Sequence, residues 1–265
     1  MSNTDAPLLE FAVDLVLRAG RLAAEHFFAQ TPTRLKPDGS EVTDADLAVE
    51  ELIRAELTRH CPTDAVLGEE AGETPGSSGR RWVTDPISGT AYFSRRMPMF
   101  ANLLAYEDEH GPAIGVIGLP IQDEVIFAGR GLGCFRLASG HRERVWIPER
   151  TRPGRALMLG ANQHAWSEEL LLALHRTVNL LGAVHHGVTH LVCGRVDAVL
   201  LSHQGYDDLA VLPVILAEAG GRVSDLTGAP VLVGDGTALA AGPALHARLL
   251  DLLAGLPASR GLKSL

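Results

Sequence analysis

From Phe100 to Phe135 the sequence changes texture. Helical spacing gives way to short apolar runs cut by Gly and Pro, among them Ala113 to Leu119 and Glu124 to Ala128. Such runs read as a strand-rich antiparallel stretch. Before it, Leu8, Ala12, Leu15, Ala19 and Leu22 keep the spacing of one helical stripe, and Ala45, Ala48, Leu52 and Ala55 mark a second helix after the turn-forming Lys36-Pro37-Asp38-Gly39-Ser40. Short strands are expected at Asp64 to Gly68 and Arg81 to Thr84, with Gly72 to Gly79 a surface loop between them.

After a charged, breaker-rich segment at Pro148 to Gly154, the two patterns alternate. Ser167 to Leu180 reads as helical, Val196 to Leu201 as extended, Asp208 to Ala219 as helical, Arg222 to Ser224 as extended and Ala244 to Leu253 as a last helix. Strands flanked by helices imply a layered α/β (α+β) architecture. The breaker segment suggests two halves, residues 1–150 and 151–265. The 265 residues, 46% of them hydrophobic, suffice for a sizeable core.

Charge and apolar run length narrow the function classes. With 23 Lys and Arg against 32 Asp and Glu the net charge is −9, which argues against a binder of nucleic-acid polymer. No apolar run approaches the roughly 18 to 20 residues needed to cross a bilayer, and the N-terminus lacks a secretory pattern, so no membrane association is expected. Three widely spaced cysteines, Cys61, Cys134 and Cys193, fit reduced thiols in a cytoplasmic protein.

Four acidic segments stand out: Val42-Thr43-Asp44-Ala45-Asp46, Leu67-Gly68-Glu69-Glu70, Asp85-Pro86-Ile87-Ser88-Gly89-Thr90, and Asp207-Asp208 followed by Glu218-Ala219-Gly220-Gly221. Three of them have plain structural readings. Thr43 with Asp46 is a capping box, Glu69 and Glu70 fit solvated strand-end charges, and Asp207 and Asp208 fit first-turn acids. The third is different. A strand delivers Asp85, Pro86 keeps it extended, and Gly89 and Thr90 open a helix, so an acid lies beside an anion-friendly helix start. Carboxylates and a backbone carbonyl are ligands that Mg²⁺ prefers, with other positions left to water and phosphate.

Gly68-Glu69-Glu70, Asp85 to Thr90, and Asp208 ahead of Glu218 to Gly221, in this order, resemble the three signature segments of the inositol monophosphatase family. The resemblance runs from about Leu8 to Leu253. It implies an α-β-α-β-α sandwich, often a homodimer, that hydrolyses a small phosphorylated metabolite with two or three Mg²⁺ ions and is often inhibited by lithium. By the same resemblance Glu69, Asp85 and the Ile87 carbonyl hold the first Mg²⁺, and Asp85 and Asp208 the second, with Glu69 shared by a third. Thr90, backed by Asp46, orients and helps deprotonate the attacking water; Gly89 and Thr90 cradle the phosphate. Lys36 is a counter-charge near the metals.

Ser88 departs from the family motif, which has a second aspartate there that ligates metal and touches substrate. A unit-charge pair at 4 Å is worth about 4 kcal/mol at an effective dielectric near 20, so losing even a fraction weakens the second metal considerably. Three explanations stay open: a deliberate change that traps substrate, a natural site with weaker metal binding or another ligand such as Asp207, or lost catalysis. An active or formerly active phosphatase scaffold ranks first, because Glu69, Asp85, Thr90, Asp46 and Asp208 are all present; the alternative is a non-catalytic ligand-binding or regulatory relative. Asp207 also replaces a Trp common in the family, and Leu201 falls where inositol-specific members carry an acid, which argues against inositol phosphate as substrate.

His185, His186, His190 and His203 crowd one stretch, and His186 with His190 has the spacing of a helical metal pair. Without a third ligand or an H-E-x-x-H pattern they are read as core or substrate-facing residues. Gly129 to Gly133 (GRGLG) is read as a hairpin turn, since the residues after it look extended rather than helical.

Overall fold

The structure, a computed structural model, describes residues 5–29, 31–37, 39–183 and 185–259. Asp38 of the expected turn cluster and Met1 to Thr4 of the N-terminal segment lie outside the described residues, as does the His185 side chain. Two compact units divide the chain, Met1–Arg144 and Val145–Leu265.

The first unit opens with α1 (Ala6–Ala29), which buries Leu9, Ala12, Val16, Ala23 and Phe27 along one side. The hairpin of β1 (Thr33–Leu35) and β2 (Glu41–Thr43), where the Lys36 N–H donates to the Ser40 carbonyl at 2.7 Å, leads into α2 (Asp44–His60). This second helix forms where expected, but its face is rotated. Ala45, Val49, Ile53 and Leu57 are buried while Ala55 is exposed, because the helix also turns Asp46 and Glu50 inward.

Eight strands follow in the order β10-β9-β8-β7-β6-β5-β3-β4. They are β3 (Ala65–Gly68), β4 (Gly72–Thr74), β5 (Arg81–Ser88), β6 (Ala101–Asp108), β7 (Gly111–Leu119), β8 (Glu124–Gly129), β9 (Gly133–Ala138) and β10 (His141–Arg144). Only β3 and β5 pair in parallel; the antiparallel run β6 to β9 is the strand-rich stretch read from the sequence. Gly129 to Gly133 makes the β8–β9 turn, as expected. Two expectations need correction. Gly72 to Thr74 form an edge strand instead of a loop, and β5 does not stop at Thr84. It runs through Asp85 and Pro86 to Ser88, with a register shift against β6 between Asp85 and Ser88. That irregularity admits Pro86, which has no N–H to give a ladder.

A short helix, α3 (Thr90–Ser94), joins β5 to β6. α1 packs on β6, β7 and β8, and α2 on β5, around a core that includes Leu15, Ile53, Trp82, Phe100 and Phe127.

The second unit holds a five-stranded sheet ordered β12-β11-β13-β15-β14. Its elements are β11 (Leu157–Ala161), α4 (Glu168–Thr177), β12 (Asn179–Ala183), α5 (Val188–Val192), β13 (Ala198–Leu201), α6 (Tyr206–Leu209), α7 (Leu212–Glu218), β14 (Arg222–Ser224), β15 (Ala238–Ala241) and α8 (Pro243–Leu253). Ser167 caps α4 by accepting the Leu170 N–H at 3.0 Å, but the helix ends at Thr177 where Val178 turns extended, short of the expected Leu180. The expected single helix from Asp208 to Ala219 is two, α6 and α7, divided just before Pro213. Met158, Trp166, Leu174, Leu200, Leu239 and Leu249 fill this unit's core. Both units set helices against a mixed sheet, as the expected α/β class requires.

Among the described residues no helix is long and apolar enough to cross a membrane. None of the three cysteines forms a disulfide; Cys134 is buried and Cys61 and Cys193 are half-buried.

Candidate active site

Thr43 ends β2 and caps α2. Its N–H and its hydroxyl both donate to Asp46 Oδ2, at 2.8 and 2.5 Å, while its Oγ1 accepts the Ala45 N–H at 3.2 Å. This is the capping box read from the sequence. It occupies one oxygen of Asp46. The other, Oδ1, lies 3.0 Å from Thr90 Oγ1, 44 residues on, so a residue explained by capping also reaches the β5–α3 turn. Burial pushes the Asp46 carboxyl above its usual range, against the hydrogen bonds from Thr43 and Thr90 that favour its charged form.

Thr90 Oγ1 is also 3.0 Å from the Ile87 carbonyl. A hydroxyl has one proton and two lone pairs, so Thr90 donates to one of these oxygens at a time and can accept a bond from a third group. Gly89, which caps α3, has φ +94°, and a Cβ there would come within 3.1 Å of the Met99 carbonyl; the turn requires glycine. With five residues, α3 offers Gly89 and Thr90 their local N–H groups rather than a long helix dipole.

Asp85 is buried, and its Oδ1 accepts the Ile87 N–H at 3.0 Å. One of its carboxylate oxygens and one of Glu69 lie within 4.8 Å of each other, a spacing two ligands of one ion can adopt. Glu69 and Glu70 follow β3, and Lys36 reaches both, at 3.0 and 2.8 Å. Burial alone would lower the Lys36 ammonium, but those two carboxylates hold it above its usual value. Burial pushes Glu70 up to about 7, opposed by its bond from Lys36 and reinforced by Glu69 and Asp46. Ser88 is buried at the end of β5, opposite Ala101.

Three residues of this site escaped the sequence reading. Glu50, one turn after Asp46, accepts the Glu70 N–H at 2.8 Å, the Ala71 N–H at 3.0 Å and Arg54 Nε at 2.7 Å. Arg54 extends the latch to the Gly72 carbonyl and, at 3.0 Å, to Thr74 Oγ1. A Cβ on Gly68 would lie 2.3 Å from Glu50 Oε1, so the glycine of the Gly-Glu-Glu motif makes room for this carboxylate. An acid beside Val49 and Ile53 on an inward face, four residues before an arginine, was the available signal. The third, Asn102 on β6, donates from Nδ2 to the Pro86 carbonyl.

In the second unit Asp207 and Asp208 lie in the first turn of α6, and Asp208 Oδ2 accepts the Gly205 N–H at 3.3 Å. Leu201 is buried at the end of β13. His186 sits in a 3-10 turn and His190 in α5, so their spacing does not lie on one continuous helix; His190 Nδ1 is 3.3 Å from Arg195 Nη1. Among the described residues, no group able to hold a metal contains a histidine.

Known proteins resemble this chain over nearly its full length. The sequence matches the inositol monophosphatase family over residues 4–257. It is 34% identical to a histidinol-phosphatase of Mycobacterium tuberculosis, over 96% of this chain and 99% of that protein. It is 29% identical to an inositol-1-monophosphatase of Mesorhizobium japonicum, over 92% and 94%. Among solved structures, the extragenic suppressor protein SuhB of Bartonella henselae superposes with a TM-score of 0.86 at 24% identity, over 95% of this chain and all of that one, which shows a shared fold.

Proposed function

This chain belongs to the inositol monophosphatase family and is a phosphoric monoester hydrolase, and we propose that it uses Mg²⁺ to hydrolyse a small phosphate monoester. The observations that carry the proposal are the Thr90 hydroxyl poised between buried Asp46 and the Ile87 carbonyl, and the Glu69 and Asp85 carboxylates within ligand spacing of each other.

The donors suit a hard divalent cation, all being oxygen: the Glu69 and Asp85 carboxylates lie within ligand spacing of each other, and the Ile87 carbonyl joins them through the family motif. Glu69, Asp85 and the Ile87 carbonyl would hold it; Asp208 and the Ser88 position enter through their motifs alone. Bound there, Mg²⁺ would offset the charge of the phosphoryl group and acidify water. Thr90 would accept a hydrogen bond from the attacking water while donating to Asp46, whose raised carboxyl suits it to draw the proton onward. The N–H groups of Gly89 and Thr90 would receive the phosphate. No serine or cysteine nucleophile is needed, because phosphoryl transfer depends chiefly on positioning and charge stabilisation.

Histidinol phosphate is the first substrate to try, since the M. tuberculosis relative carries that name over nearly its full length. Buried Leu201 supports this choice over inositol phosphate: it offers no acid to a polyol hydroxyl. The cytoplasmic setting and homodimer suggested by the thiols and the family resemblance belong to the same proposal. A second reading, a catalytically impaired relative, rests on Ser88. Phosphate release from histidinol phosphate, inositol phosphate, sugar phosphates and nucleotides, for this chain and Ser88→Asp across a Mg²⁺ titration, separates the two. We expect release by the natural chain, with Ser88→Asp active at lower Mg²⁺. Release by Ser88→Asp alone favours the second reading.

A further inference from the structure

Asn102 is fully buried on β6, yet only half of its amide is paired. Nδ2 donates to the Pro86 carbonyl, while Oδ1 has no hydrogen-bond partner. Gly20 of α1 makes room for this oxygen, since a Cβ there would lie 3.3 Å from Oδ1. A buried amide oxygen without a partner costs stability, and a leucine of similar size would avoid that cost. The residue type is therefore explained by what its N–H does.

That N–H acts where the sheet gives no support. The register shift takes Pro86 and Ile87 out of the β5–β6 ladder. The peptide between them is instead held on both sides, its carbonyl by Asn102 and its N–H by Asp85 Oδ1 at 3.0 Å. The groups adjoining this peptide are the Asp85 carboxylate and the Ile87 carbonyl, and Thr90 Oγ1 is 3.0 Å from the latter. Turning the peptide would redirect all three.

We propose that Asn102 is a positioning residue whose side-chain amide fixes the Pro86–Ile87 peptide and with it the direction of the two groups that bind the divalent cation. The proposal rests on the reading of Asp85 and Ile87 as cation ligands. Like other groups that orient ligands from behind, it touches neither cation nor substrate.

The test measures Mn²⁺ binding by electron paramagnetic resonance, and metal-free melting, on the full chain and on Asn102→Leu and Gly20→Ala. Asn102→Leu should bind Mn²⁺ roughly 10- to 100-fold more weakly. Its metal-free melting temperature should stay within about 4 °C of the natural chain, because the lost hydrogen bond is offset by removal of the unpaired oxygen. Gly20→Ala, which presses on Oδ1, should weaken binding in the same direction but less. Unchanged Mn²⁺ affinity in Asn102→Leu overturns the proposal, as does a loss of affinity matched by a loss of metal-free stability. If Asn102→Leu does not fold, unchanged affinity in Gly20→Ala overturns it. Absence of saturable binding in the natural chain is a distinct failure: it overturns the ligand reading and the proposal with it.

Discussion

In the first unit Asp46, Glu50, Asp64, Asp85 and Glu124 are buried, whereas among the described residues of the second unit Asp225 is the one buried carboxylate. Asp225 bonds only close by, to the Thr227 N–H and hydroxyl and the Ala229 N–H, at 2.7 to 2.8 Å. Asp46 instead joins β2 and α2 to Thr90, and Glu50 joins α2 to the turn after β3. Asp225, bonded within four residues, shapes its own turn. A carboxylate that ties segments 20 to 44 residues apart fixes the relative positions of groups that must act together, and its burial cost is met by several donors at once.

Substitutions that remove one carboxylate function at a time sharpen this contrast. Asp85→Asn should lower phosphate release roughly a thousandfold, equivalent to about 4 kcal/mol of transition-state stabilisation, with the fold intact by circular dichroism. Thr90→Val, which keeps the side chain's shape but removes the hydroxyl between Asp46 and Ile87, should cost on the order of a hundredfold in kcat. Asp225→Ala should do the reverse: roughly 1 to 3 kcal/mol lost in denaturant unfolding, with kcat/KM unchanged. A large fall in activity for Asp225→Ala would contradict this division of roles.

The smallest effect concerns pH. Burial holds the His246 imidazole below its ordinary value of 6.5, assisted by Arg222 and opposed by a backbone bond involving Leu239. As pH falls below that ordinary value the unfolded chain takes up this proton before the folded one does. Stability that is complete above it is therefore lost progressively on acidification. Denaturant melts at a series of pH values should show a shallower acid loss for His246→Gln than for the natural chain.

Much of this contrast was legible in the residues. The capping box and the antiparallel run through Phe135 depend on neighbours in sequence and lie where their patterns placed them, and the strand before Asp85 starts where expected, at Arg81. The rotated face of α2 did not follow from periodicity, because the helix buries Asp46 and Glu50 beside its apolar residues. Glu50, Arg54 and Asn102 were missed for the same reason: their partners at Glu70, Gly72 and Pro86 are 16 to 20 residues away, and only the folded sheet supplies them. The split of the helix expected from Asp208 was signalled by Pro213 but was outweighed by the apolar run around it.

Whether the turn after β5 holds a catalytic cation is decided by phosphate release from the full chain after its metal has been removed with a chelator, followed as Mg²⁺ is added back. Release should fall to background in the stripped protein and return saturably with Mg²⁺, and Asp85→Asn should fail to recover over the same range. Release that persists through chelation, or that returns equally in Asp85→Asn, would contradict the assignment of this turn as the cation site.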